Sequence, residues 1–199
     1  MSDTVAAGEA VAMGIARQRV HAEGFVSAKP ESLWPDDPAL ACRPSVIDKL
    51  YQQGSARIRF PDTASGPLQA VLLNTAGGLA GDDNILWAGS AEDQAHLSIS
   101  TAACEKIYRS HGTDANQTTR LNVGHRARLD WLPQESILFN GACLKRTMDV
   151  QLVRLGASVL PSRLVVRVLA ADSYQLKKFL IPCLELLNNG RPVPAVWKV

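Results

Sequence analysis

Cysteine is scarce and never paired: Cys42, Cys104, Cys143 and Cys183 stand far apart, with no C-x-x-C spacing. That pattern excludes a zinc ribbon and a thioredoxin-like redox motif, and isolated thiols point to a reducing compartment. Aromatic residues are few, at 6% of the chain, and neither sign of charge dominates, since 21 Lys and Arg face 19 Asp and Glu for a formal net of +2. Such a chain has no overall field to hold nucleic acid, and no RNP-like or helix-turn-helix signature accompanies its bases. Long hydrophobic runs are missing too, and no stretch approaches the ~20 apolar residues of a spanning helix. Met1 to Met13 carries Asp3 and Glu9 where a signal peptide has a basic start and an apolar run. These absences predict a cytoplasmic chain with no nucleic acid and no membrane among its partners.

What is present suits one folded unit. A length of 199 residues, 46% of them hydrophobic, with 20% charged residues and a mean hydropathy of -0.03, is enough for a single domain with a real core. On length alone a bare peptide and an extended repeat array are disfavoured. Residues 1–44 hold six acids against four bases, and Pro30, Pro35, Pro38 and Pro44 crowd their second half. Prolines at that density break regular structure, so a loosely ordered arm is expected, with room for a short helix over Val11 to Val20. Residues 45–199 form the expected domain.

The domain is written as strands and turns, short apolar runs separated by Gly, Asn and Asp. Leu68 to Asn74 is apolar on both parities and predicts a strand buried on both faces. Leu97 and Ile99 alternate with Ser98 and Ser100, and Leu121 and Val123 with Arg120 and Asn122, as half-exposed strands do. Leu129 to Leu132, Ile137 to Phe139 and Leu144 to Leu152 continue the pattern, the last with Leu144, Met148, Val150 and Leu152 opposed to Lys145, Thr147, Asp149 and Gln151. Leu164 to Leu169 predicts one more strand. Then Asp172 and Gln175 resemble a capping box, and Leu176, Phe179, Leu180, Cys183, Leu184 and Leu187 fall on one helical stripe that Gly190 ends. A mostly β fold is predicted, with a few helices, one of them at about 172–189.

Candidate chemistry concentrates in three places. Asn74-Thr75-Ala76-Gly77-Gly78-Leu79-Ala80-Gly81-Asp82-Asp83 puts three glycines after an apolar strand, yet no Lys follows Gly81 and the G-x-G-x-x-G spacing fails, so a nucleotide cradle is disfavoured. A tight turn, with Asp82 and Asp83 bonding to its backbone, explains the residues better. Glu105-Lys106-Ile107-Tyr108-Arg109 gathers an acid, two bases and a phenol, but on a strand Lys106 and Tyr108 share one face and Glu105, Ile107 and Arg109 the other. Trp131-Leu132-Pro133-Gln134-Glu135 places an acid after a proline turn. His21, His96, His111 and His125 lack helical i, i+4 spacing, so no local zinc site is written. Residues 102–178 carry twelve Lys or Arg against six acids, an asymmetry that suits an acidic protein partner as well as a solvated face.

These three segments, in this order and spacing, resemble the urease accessory protein UreD family, called UreH in some organisms, over about Ser55 to Leu155. The resemblance implies a β-rich, non-enzymatic scaffold that binds apo-urease together with UreF and UreG and assists nickel insertion. It implies no stably bound cofactor in this chain, nickel being handled by the complex. It makes Asn74, Thr75, Gly77, Gly78, Gly81, Asp82, Glu105, Lys106, Tyr108, Arg109, Trp131, Pro133, Gln134 and Glu135 structural or interface residues, with no catalytic or metal-ligating residue assigned. Two other readings of the residues stay open: an enzyme using Asp82, Glu105 and Lys106, and a direct nickel carrier. The chain also departs from the family, with Asp83 where a further glycine is frequent. An interior segment after about residue 157 is missing, which would leave strand edges unpaired.

Overall fold

The computed structural model describes residues 19–31, 43–62, 66–152 and 163–166. They form twelve strands: β1 (His21–Pro30), β2 (Ser45–Gln53), β3 (Ala56–Arg59), β4 (Leu68–Asn74), β5 (Asn84–Ala91), β6 (His96–Thr101), β7 (Glu105–Ile107), β8 (Ala115–Val123), β9 (Arg128–Leu132), β10 (Ser136–Leu138), β11 (Leu144–Leu152) and β12 (Arg163–Val166). One sheet has the order β11-β8-β5-β1-β2, a second the order β12-β9-β6-β4-β3, and β10 pairs with β7 in a third. Leu79 extends that third face by a parallel bridge to Ile107.

From β4 onward the chain visits these faces in a fixed cycle: second sheet, third face, first sheet. Leu68, Leu97, Leu129 and Leu164 stack in register on the second sheet. Leu79, Ile107 and Leu138 stack on the third face, and Asn84, Asn116 and Lys145 on the first. Every one of these pairings is parallel, so the chain winds as a solenoid of roughly 30 residues per turn, within the usual range for repeat units. Among the described strands, β1 with β2 and β3 with β4 are the antiparallel pairs. The winding has no counterpart in sequence self-similarity, which is why an expectation drawn from length missed the repetition.

The core lies between the faces. Ile85, Trp87 and Ala91 of β5, Leu121 and Val123 of β8, Ile99 of β6 and Leu129 of β9 are all buried. At Gly89 the sheets approach so closely that an added Cβ would stand 2.5 Å from Ile99 Cδ1. A side chain there would require Ile99 to repack.

Several expectations need correction. The arm expected over 1–44 contains β1, a central strand of the first sheet whose Val26 and Ala28 are fully buried. Acids and prolines dominated the reading of that stretch, while the packing is decided by Ala22, Gly24, Val26 and Ala28 at strand spacing. β4 is buried on one face only: Ala70 and Leu72 are buried, Val71 and Leu73 half-buried and Gln69 exposed. The strand expected through Arg109 stops at Ile107, because Arg109 turns to bridge Ala142 antiparallel. The helix expected at 172–189 and the short one at 11–20 fall outside the described residues, apart from Arg19 and Val20.

Candidate functional site

The glycine segment is held by its first residue. Asn74 ends β4, and its side-chain amide donates to Gly78 O at 3.3 Å and to Glu105 Oε1 at 3.1 Å, while its Oδ1 accepts from Ala76 N at 3.1 Å. One side chain thus closes the turn and ties it to β7. Gly78 has a φ of 153°, and an added Cβ would stand 2.5 Å from Tyr108 Cε2 and 2.6 Å from Lys106 O. Only glycine lets the turn lie flat against β7. There Leu79 N donates to Lys106 O at 2.8 Å, Tyr108 N donates to Leu79 O at 2.7 Å, and the Tyr108 hydroxyl donates to Gly77 O at 3.3 Å. The Thr75 hydroxyl donates to Ser55 O at 3.0 Å. Gly81 sits against Ser110 and Thr113, where a side chain would collide.

The two aspartates after the turn divide their work. Asp83 is buried, and its carboxylate accepts from Ala80 N at 2.7 Å and from Val20 N at 2.8 Å, fastening the entry to β1 onto the turn. Asp82 has a φ of 67° and faces outward, paired with Arg19 at 3.3 Å. The backbone bonding expected of both carboxylates therefore belongs to Asp83 alone.

The third face presents the most apolar surface near these motifs. β7 turns Ile107 inward and Lys106 outward, as strand alternation requires. Tyr108 stacks on Phe139 with centroids 5.3 Å apart and planes inclined by 12°. Phe139 is placed by its backbone N–H, which donates to Ile107 O at 3.0 Å. Tyr108 is 42% exposed, Ile137 41% and Phe139 46%, a group on the outward side with Lys106, while Leu138, 60% exposed, is in register with the inward Ile107. Lys106 and Arg109 are exposed beside it, and the Arg109 stem lies over Gly141.

Beneath the third face runs a polar cluster drawn from successive turns. Glu105 accepts from Asn74, and Arg146 donates from Nε to Gln117 Oε1 at 2.9 Å and from its terminal nitrogen to Ser136 Oγ at 2.7 Å. Burial raises the Glu105 carboxyl above its ordinary range, against the opposing pull of the Asn74 amide and the Arg146 charge. Burial likewise lowers the Arg146 guanidinium, with Glu105 opposing, although Arg146 as a whole residue is exposed. Cys104 is pushed up, first by its hydrogen bond to Glu135, which leaves it a poorer nucleophile.

The corner after β9 is structural in its placement. Trp131 is buried in the core, Gln134 N donates to Thr101 Oγ1 at 2.8 Å, and Glu135 O accepts from Glu105 N at 3.2 Å. Pro133 lies between β9 and β10, so this corner sets β10 against β7. The structure thus gathers the glycine turn, β7 and the Gln134–Glu135 corner around one face and leaves Trp131 in the interior. Asp82, Glu105 and Lys106 do not converge: the first pairs with Arg19, the second faces Asn74 and the third is exposed. Among the described residues no group of three or more His, Cys, Asp and Glu is placed to hold a metal ion.

Two features escaped the candidate residues. Ile137, Leu138 and Phe139 were legible as a strand, and apolar side chains on both parities of so short a run were the available signal that one face stays open. A second exposed apolar group, Val46, Ile47, Leu50 and Tyr51, lies on β2 at the edge of the first sheet.

Comparisons with known proteins agree with this architecture of motifs. The family described as UreD urease accessory protein matches residues 39–154. The urease accessory protein UreD of Rhizobium leguminosarum bv. viciae is 32% identical over 244 residues, covering 77% of this chain and 89% of that relative. That aligned stretch is longer than the chain's own 199 residues, so an interior part of the relative has no counterpart here. The urease accessory protein UreD of Brucella suis is 51% identical over 108 residues, 54% of this chain and 39% of the relative's length. The glycine turn, β4 to β11 and the third face all fall within the matched residues, and the chain belongs to the UreD urease accessory protein family, as a shortened member.

Proposed function

We propose that this chain is a non-enzymatic scaffold of urease metallocentre assembly, which binds apo-urease with UreF and UreG so that nickel reaches the urease site. The observation that carries this reading is the third face, where Tyr108, Ile137 and Phe139 are exposed on the side of Lys106 and Arg109. An apolar patch with a basic rim suits a protein partner that is apolar and acidic at the contact, the aromatic pair and Ile137 supplying the anchors. The polar groups that an enzyme would need are spent on holding the turn and β7, and nickel, as cargo, needs no resident ligand set in such a scaffold. The cytoplasm is the compartment this role implies.

The test is co-purification of the chain with UreF, UreG and apo-urease, followed by nickel content and urease activity of the product. Capture of the partners with nickel-loaded, active urease supports the scaffold. Failure to capture any of them overturns it.

A further inference from the structure

The two edges of the first sheet are built differently. At one end β2 carries a register shift against β1 between Ser27 and Ala28, and the N–H of its first residue, Ser45, donates to Gly66 O at 3.1 Å. A bulge of this kind keeps an edge from adding another strand. At the other end β11 pairs with β8 in unbroken register over all nine residues, contains no proline or glycine, and has no strand beyond it among the described residues. A long straight edge presents its N–H and C=O groups to any strand that can match it. The apolar side of β11 is incompletely covered as well. Leu144, Met148, Val150 and Leu152 pack on the core yet are only half-buried, while their β8 partners Ala115, Thr119, Leu121 and Val123 are buried.

We propose that a second copy of this chain covers this edge, β11 pairing antiparallel with its counterpart about a two-fold axis at Thr147. The strand is complementary to itself in that register. On the outer face Lys145 stands opposite the second copy's Asp149 and, by the two-fold, Asp149 opposite the second copy's Lys145, with the two Thr147 residues side by side. On the inner face Leu144 meets Val150, and Arg146 meets Met148. Placing the axis at Arg146 or at Asp149 instead would set like charges against each other, and placing it at Met148 would oppose Lys145 to Gln151 with no ion pair at all. The charges needed are accessible: Lys145 and Asp149 are exposed, and Asp149 is held loosely, 4.0 Å from an exposed Arg120. Arg146 is fastened to Gln117 and Ser136 of its own chain, so it offers Met148 its stem. The half-buried row of each copy is thereby set against that of the other. The proposal is independent of which protein the third face binds.

Light-scattering mass of the intact chain over a concentration series tests it, together with a charge cycle on β11. Wild type is expected to approach twice 21.5 kDa as its concentration rises. Lys145→Asp and Asp149→Lys each put like charges opposite one another twice over, because the two-fold doubles every substitution, and each should weaken the dimer about tenfold or more. The double variant restores opposite charges in the reversed sense and should return the dimer to within about threefold of wild type. Both side chains are exposed, so circular dichroism spectra of all three variants should match that of wild type. A wild-type chain that stays at 21.5 kDa throughout means that something other than a second copy covers the edge, and it overturns the proposal. So does a dimer indifferent to the single reversals, or one that the double variant leaves as weak as the single ones.

Discussion

β8 and β11 are neighbouring strands of the same sheet, equal in length and written in the same alternation, yet they end up in different environments. Leu121 and Val123 are 0% and 1% exposed, while their partners Val150 and Leu152 are half-buried. The difference does not come from the side chains. Among the described residues, β8 has a strand on each side, whereas β11 has a strand on one side only. In a solenoid burial is conferred by the neighbouring turns, so equal side chains on successive turns need not be equally covered.

Truncating matched positions on the two strands would break or sharpen that comparison most strongly. Leu121→Ala should cost about 2–5 kcal/mol, as for a large aliphatic side chain removed from a closed core, and Val150→Ala about 1 kcal/mol or less, because a half-buried site loses less transfer free energy. Urea denaturation of both variants measures this, and equal losses would show that the terminal turn is as tightly packed as the one before it.

The turn and the third face come next. Gly78→Ala should destabilise by about 1–3 kcal/mol, the overpacking range, because its Cβ meets the Tyr108 ring and Lys106 O. Thermal melting gives the loss, and an unchanged melt would mean that the turn moves off β7 freely. Tyr108→Ala should cost less, about 0.5–1.5 kcal/mol for the stacked pair, while weakening partner capture far more than it lowers stability. Equal effects on both would remove the reason to separate a docking face from a packing face.

The smallest effect is electrostatic. Burial raises the Glu105 carboxyl above its ordinary range, so the stability it contributes is present at low pH and is lost as pH rises through the raised value. Glu105→Gln keeps an acceptor for the Asn74 amide and removes the charge. The variant should melt slightly above wild type at pH 7, with the gap closing below pH 4.5. A variant less stable at pH 7 would show that attraction to Arg146 outweighs burial.

Much of this was legible in the residues. Alternation in Leu97 to Ser100, Leu121 to Asn122 and Leu144 to Leu152 gives strands where the structure has β6, β8 and β11, and the glycine segment reads correctly as a turn. The winding was not legible, because parallel register between β5, β8 and β11 is set by contacts across the turns and leaves no repeated motif. β1 was hidden by its small residues: Ala22, Gly24 and Ala28 carry little hydrophobic signal, yet small side chains are what a close approach to Trp87 and Ile58 requires. At the candidate site the sequence pointed to Asn74, Gly78, Glu105 and Tyr108, which do meet. It also set Lys106 and Glu105 on opposite faces of the strand, but it could not show that Asp82 parts company from Glu105, since that depends on the pairing with Arg19.

The most direct measurement is size-exclusion co-elution of the chain with UreF, wild type against Ile137→Asp. Ile137 is 41% exposed and pairs with the outward Lys106, so the charge stays on the outer side of the third face. The docking-face account predicts that wild type co-elutes, that the variant elutes apart, and that both melt at the same temperature. Co-elution of the variant as complete as that of wild type would contradict it.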